Sequence, residues 1–269
     1  MKAYIDGIGI FAPNMSHWQE ASGVLLGKTN FNAQSKLAPF LSTLLPASEK
    51  RRASKTVKLA LEISQQAVEQ AQVDPTTVAV VFASSTGDTE VLTDICETLT
   101  TEERLVSPTK FHNSVHNAPA GYWSIAVKSH QPANSIANHQ STVTTGLLEA
   151  VVQAKADSQA VLLSVYDIPF PEPLKQVEDI AVLFGASLLL QSHQTKHSIA
   201  EISLQWDTSV HHESTLKNKE LEALRQSVPA AKILPLLHLL ANQSSGQVAL
   251  PTPDGTLKID VTYLQQVTS

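Results

Sequence analysis

The stretch Pro132-Ala133-Asn134-Ser135-Ile136-Ala137-Asn138-His139-Gln140-Ser141 carries the reading of the fold. Ala133 to Ala137 is a short strand-like run, and Ser141 to Ala156 is apolar at helical spacing, so a strand enters a helix across only three residues. Working outward, the same unit repeats. Val78 to Ala83 is apolar without alternation, as in a strand covered on both faces, and Ser84-Ser85-Thr86-Gly87-Asp88 turns it into a helix from Thr89 to about Leu99. Ala160 to Tyr166 is a further strand. Upstream, Ala3 to Phe11 reads as a buried strand, Ser16 to Leu26 as a short helix ended by Gly27, and Ser48 to Gln72 as one long helix stopped by Asp74-Pro75. Pro108 to Pro119 reads as a loop rich in His and Asn, and Ala120 to Lys128 as a helix. Ile180 to Gln191 and Ile199 to Trp206 read as two adjacent strands. Strands alternating with helices predict an α/β fold with a mixed, mainly parallel sheet wrapped by helices and closing with an antiparallel pair. From His211 onward the pattern changes to helices at Ser214 to Gln226 and Ala230 to Ala241, a polar turn, and a strand at Leu257 to Tyr263.

The 269 residues suffice for a real core without disulfide staples. Charged residues are 16% of the chain, against about 25% in an ordinary soluble domain. A sparsely charged surface is easier to bury against a partner, because fewer ions must be desolvated. The net charge of −6, with no basic stripe interleaved with aromatics, argues against nucleic acid as a partner. No apolar run reaches the 18 or so residues of a membrane helix, and one cysteine with no signal-like segment makes cytoplasm the default location.

Several motifs have bland readings that outweigh the sharp ones. Gly7-x-Gly9-x-x-Ala12 imitates a dinucleotide fingerprint, but Pro13-Asn14 interrupts the helix that would face a pyrophosphate, so the glycines are expected to pack a buried strand and no cofactor is implied. His112 and His116 are spaced i, i+4, yet flanking prolines make the stretch a loop and no third ligand is apparent, so no metal site is expected. Cys96 lies in the apolar stripe Val91-Leu92-Ile95-Leu99 and is expected to be a small core residue.

Three pieces in order carry a resemblance. Tyr4-Ile5-Asp6-Gly7-Ile8-Gly9-Ile10-Phe11-Ala12-Pro13, Asn117-Ala118-Pro119-Ala120-Gly121 and Pro132-Ala133-Asn134-Ser135-Ile136-Ala137 resemble, in sequence and spacing, the opening strand, the N-x-x-A-G segment and the strand before the nucleophile of β-ketoacyl synthases. The resemblance implies a thiolase-like fold, with residues 1–205 as a synthase N-terminal-like domain and 206–269 as a shortened C-terminal remnant. Counting forward without gaps, the catalytic cysteine position falls on Gln140, which cannot form a thioester. Neither later histidine motif of the family is recognisable; His238, flanked by Leu236-Leu237 and Leu239-Leu240, fits a core helix. The run Phe111 to Trp123 is similar to the truncated chain-length factor subunits of aryl polyene and related clusters.

What the resemblance implies is a non-condensing subunit with no cofactor that pairs with an active synthase, meets the acyl carrier protein only indirectly, and walls the acyl tunnel. Tunnel candidates are Thr89, Leu92 and Thr93. Partner-interface candidates are His112, His116, Asn117 and Pro119 in the loop, and Ala133, Asn134, Ser135, Ile136 and Ala137 on the strand. Two competing readings stand beside it: a decarboxylase of malonyl thioesters acting at Gln140 with His112, His116 or His139 as base, and a homodimeric scaffold with no acyl role.

Overall fold

A computed structural model describes residues 1–176 and 180–265. The chain forms β1 (Lys2–Phe11), α1 (Trp18–Leu25), α2 (Ala47–Arg52), α3 (Lys55–Ala71), β2 (Ala79–Ala83), α4 (Thr89–Thr100), α5 (Pro108–Asn113), α6 (Ala118–Val127), β3 (Ala133–Ile136), α7 (Thr142–Asp157), β4 (Val161–Asp167), β5 (Phe184–Gln191), β6 (Ala200–Asp207), α8 (Lys219–Ser227), α9 (Leu234–Ala241), β7 (Gly246–Thr252) and β8 (Gly255–Tyr263). All eight strands share one sheet, in the order β3-β2-β4-β5-β1-β6-β8-β7. Apolar clusters fill both faces. One holds α1, α7 and α9 against the sheet, the other α3 and α6.

The layered α/β architecture with a mixed sheet is as the sequence predicts, but the balance of strand directions is not. Only β3-β2 and β2-β4 pair in parallel; the remaining five pairings are antiparallel. The reason is that β1, first in sequence, inserts between β5 and β6, so those two strands do not pair with each other. Local periodicity carries no information about an insertion from a distant segment. A second strand of the tail, β7, also went unread. It forms a hairpin with β8 across Pro253-Asp254, and the alternation Val248, Leu250, Leu257, Ile259, Val261 is its signature, since all five are buried. The expected single helix over Ser48 to Gln72 is two, because Ser54 turns extended and its side chain caps a new helix at the Val57 amide. The loop expected over Pro108 to Pro119 contains the one-and-a-half-turn α5, capped by Ser107.

β1 lies directly on α3. A Cβ built on Gly7 would sit 2.0 Å from the Ala67 carbonyl oxygen, and one on Gly9 would sit 1.9 Å from that of Ile63. These glycines therefore serve backbone-to-backbone packing, as the sequence reading expects. Beyond Ile5, β1 has no β6 partner, and the Gln70 and Gln66 side chains of α3 accept from the Ile8 and Ile10 amides instead, at 2.7 and 3.0 Å. Beneath them, Ser64, Ser164 and Ser187 form a buried hydroxyl chain from α3 through β4 to β5, with oxygens 2.8 and 2.6 Å apart. The three hydroxyls thus satisfy one another where the helix meets the sheet.

Gly9→Ala is expected to destabilise the fold by about 3 kcal/mol or more, since a methyl must displace backbone. Gly121→Ala, in α6 where a Cβ meets nothing within 4 Å, is expected to be neutral or stabilising by about 0.5–1 kcal/mol. Denaturant unfolding of the two variants measures the contrast.

Candidate functional site

The turn from β3 into α7 is built from side chains that serve the backbone. The Thr142 hydroxyl accepts from the Asn138 amide at 2.9 Å and donates to the His139 carbonyl at 2.7 Å. Asn138 Nδ2 donates to Thr145 Oγ1, which in turn donates to the Ser141 carbonyl. His139 takes a left-handed conformation, φ 45°, within this clamp, an arrangement that is held by its surroundings rather than preferred by the residue. Gln140 follows on the 3₁₀ turn His139–Ser141, exposed, immediately before the buried first turn of α7.

Gln140 opens onto a cavity of about 490 Å³ lined also by Asn138, His139, Ser141, Glu213, Lys232, Pro251, Thr252 and Pro253. The far wall thus belongs to the tail. It is held by an ion network around Arg225, which is 2% exposed and pairs with Glu213 at 2.7 Å and Glu222 at 2.6 Å, while Lys232 joins Glu213 at 3.1 Å. The Arg225 guanidinium holds the Glu222 carboxyl down at about 2. Buried ions are tolerated here because each is matched and hydrogen-bonded.

A second anchor joins the tail to the strand ends. Asp167, at the end of β4 and fully buried, accepts through Oδ1 from the Ser84 hydroxyl at 3.1 Å and from the Ser85 amide and hydroxyl at 2.9 and 2.8 Å. Its Oδ2 accepts from the Ala230 amide at 2.8 Å. Desolvation outweighs these bonds and raises its pKa to about 6.

The candidate residues fall into three places. Thr89 and Thr93 are buried on α4, with Thr93 Oγ1 donating to the Thr89 carbonyl, whereas Leu92 on the same helix is 45% exposed. Cys96 is exposed, a correction to its expected core position. On the stripe Val91-Leu92-Ile95-Leu99, Leu92 and Leu99 are exposed and Val91 and Ile95 half-buried, so its periodicity marks an amphipathic helix whose apolar face is only partly covered.

His112 and His116 point to different partners. His112 lies edge-on to the Tyr122 ring at 5.7 Å, and His116 Nε2 is 3.0 Å from the Ser84 carbonyl. The helix that would align them ends at Asn113. Asn117 is exposed and Pro119 buried. Ala133, Asn134, Ser135 and Ile136 form the edge strand of the sheet, paired on one side only and half-buried or exposed, and Ala137 just beyond is exposed. His238 instead bonds the Leu25 carbonyl through Nδ1. Sequence reasoning missed Asp167, whose partners lie far away in the chain, and the Arg225, Glu213 and Lys232 network, which the tail gathers from its own residues. It also missed an apolar surface. Six of the eleven large hydrophobic residues exposed among the described residues, Leu92, Leu99, Leu105, Phe111, Val115 and Ile125, come from the single segment between β2 and β3.

Residues 18–253 match the model of the β-ketoacyl synthase N-terminal domain. The chain belongs to that family. No curated protein sequence matches it. Among solved structures, it is similar to a chain of the ketosynthase (ApeO) in complex with its chain length factor (ApeC) from Xenorhabdus doucetiae, with 20% identity, a TM-score of 0.73, and coverage of 97% of this chain and 99% of the other. The ishigamide ketosynthase/chain length factor matches at 13% identity and TM-score 0.71, covering 98% and 99% of the two chains. So does a chain of the type II polyketide synthase complex AntDE:AntF, a ketosynthase with its acyl-carrier protein, at 10% identity and TM-score 0.75, again covering 98% and 99%. These likenesses establish the thiolase-like fold and structural similarity to subunits of such complexes. Among the described residues, no helix is long and apolar enough to cross a membrane.

The Asp167 shift gives a pH dependence with a definite sign. Its folded pKa lies above the ordinary 3.8, so the folded state holds the proton more tightly. Its stabilising contribution is fully present below about pH 4, falls as the pH rises to about 6, and is constant above that. The unfolding free energy of wild type relative to Asp167→Asn is expected to drop across that window by on the order of 3 kcal/mol. Denaturant titrations at several pH values measure it.

Proposed function

We propose that this chain is a non-condensing, chain-length-factor type subunit that pairs with an active β-ketoacyl synthase and shapes the acyl tunnel in polyene- or fatty-acid-like chain elongation. The observation that carries the reading is Gln140. At the position where the family resemblance puts the nucleophile, the chain presents an amide on the turn before α7. An amide cannot take up the acyl group, while the helix terminus and turn that would serve a thiolate remain.

The pairing surface in this reading is the edge of β3 together with the open apolar segment from Leu92 to Ile125. An unpaired strand edge flanked by exposed Leu and Phe side chains is unfavourable in isolation and favourable in an interface. Each such side chain fully buried there contributes about 1.5–3 kcal/mol. His112, His116, Asn117 and Pro119 would frame the contact, and residues 206–269, the shortened remnant of the family's second half, would back the cavity beside Gln140. Condensation belongs to the partner, and so does direct contact with the carrier protein. On α4, Thr89 and Thr93 face inward and Leu92 outward, so the tunnel wall would form where that helix meets the synthase.

Co-expression with a ketosynthase of its own gene neighbourhood is expected to yield a stable one-to-one complex. Phe111→Glu combined with Leu105→Glu is expected to lower recovery of the complex at least tenfold while leaving the melting temperature of the isolated chain within about 2 °C. Leu92→Trp is expected to shift the carrier-bound products toward shorter chains; unchanged products reject that position as tunnel wall. Thioester turnover by the isolated chain that disappears in Gln140→Ala would instead establish a decarboxylase.

A further inference from the structure

α4 is oriented against the usual rule for an amphipathic helix. Of its 12 residues only Thr89 and Thr93 are buried, while Leu92, Cys96 and Leu99 are exposed and Val91 and Ile95 half-buried. The charged side is the one tied to the body. Glu90, Asp94 and Glu97 recur at i, i+4 and i+7, across the helix from Leu92, Ile95, Cys96 and Leu99. Two of the three carboxylates reach neighbouring helices, Glu90 pairing with Lys55 of α3 at 2.7 Å and Asp94 with Lys110 of α5 at 2.9 Å. The helix is therefore placed by two ion pairs and two threonines, and much of its apolar side is left for something else to cover. Its carboxyl end is also short of positive charge. A helix C-terminus concentrates negative partial charge and favours cations, yet the last turn of α4 holds no basic residue. It holds Glu97 instead, and Glu102 and Glu103 follow. These three are exposed and, among the described residues, make no ion pair or side-chain hydrogen bond; Arg104 is the one cation of residues 101–107.

We propose that the outward face of α4 docks into an apolar groove of the partner synthase, and that Lys or Arg side chains at one end of that groove meet the carboxyl end of the helix. The inference rests on the pairing proposed above and names the chemistry that the partner's surface must have. The outward stripe holds no charge, so what covers it must be apolar, and Leu105 and Phe111, exposed beyond the helix, extend the same surface. The uncompensated carboxylates and the helix terminus lie at one end of the stripe, so the complementary cations belong there. A second copy of this chain is poorly matched. Of the cations around its own α4, Lys55 and Lys110 are already engaged, which leaves Arg104 against three carboxylates. Charges at the rim of such a contact act mainly on the rate of encounter, whereas the apolar contact acts on the rate of escape.

The test measures association and dissociation rates of the full chain with the synthase of its gene neighbourhood at about 50 and about 500 mM sodium chloride, where charges are weakly and strongly screened. The wild-type association rate is expected to fall at least about tenfold between the two. Combined Glu97→Gln, Glu102→Gln and Glu103→Gln is expected to lower the association rate at low salt by about fivefold and flatten the salt dependence, with the dissociation rate within about twofold of wild type. Leu99→Ser is expected to raise the dissociation rate by about fivefold or more and keep the salt dependence. All four positions are exposed, so melting temperatures are expected to stay within about 2 °C. Combined Asp157→Asn, Glu220→Gln and Asp254→Asn, which remove the same charge from exposed sites elsewhere, are expected to leave the rates unchanged. A complex whose association rate ignores salt, an equal loss in the second triple variant, or a wild-type homodimer stable at low salt would overturn this inference alone. Absence of any complex with the synthase would overturn the pairing and this inference with it.

Discussion

The fold depends on how closely β1 approaches α3. Two glycines, Gly7 and Gly9, remove the only atoms that would hold the strand off the helix, and the Ile63 and Ala67 carbonyls fill the space. That contact sets the level of α3 over the sheet. With the helix there, Gln66 and Gln70 reach the amides that β6 leaves open, and Ser64 reaches the buried hydroxyls of β4 and β5. An added methyl at either glycine would lift the helix away from all of these groups at once, and buried donors left without acceptors cost about 1–3 kcal/mol each.

Because β1 is fixed between β5 and β6, the sheet has two different ends. On one side lies the parallel trio β3-β2-β4, whose carboxyl ends carry the turn with Gln140, the Ser84-Ser85 loop and Asp167. On the other lies the antiparallel hairpin of the tail. Asp167 connects the two through the Ala230 amide, the Arg225 network braces the tail internally, and the tail supplies half the wall of the cavity beside Gln140. The outer edge of β3 and the apolar segment before it are left open on the far side of the trio. A molecule built this way has one sheet edge backed by the tail and one left open.

Much of this was legible in particular residues. The β-branched and apolar runs at β1, β2 and β4 fall within a residue or two of where the sequence puts them, because burial on both faces leaves a continuous apolar signature, and the strand-to-helix junction at Ala133 to Ser141 is placed equally well by the helical spacing that follows it. The reading of Cys96 failed for the opposite reason. An apolar stripe on a helix says that one face avoids water, and says nothing about whether this chain or another covers it. Asp167 gave no signal at all, since a lone carboxylate at a strand end resembles any other until its four donors arrive from Ser84, Ser85 and Ala230.

The sequence by itself determined most of the local units, the glycines where backbones touch and the amide of Gln140 ahead of α7. The last two are properties of single positions, fixed by what a side chain lacks. Tertiary structure alone decided the strand order, the direction of most pairings, the exposure of Leu92 and Leu99 on α4 and the meeting of Asp167 with Ser84, Ser85 and Ala230. Those depend on which distant segments meet, and that choice follows from the total burial of apolar surface and the pairing of buried backbone groups, which no local window contains.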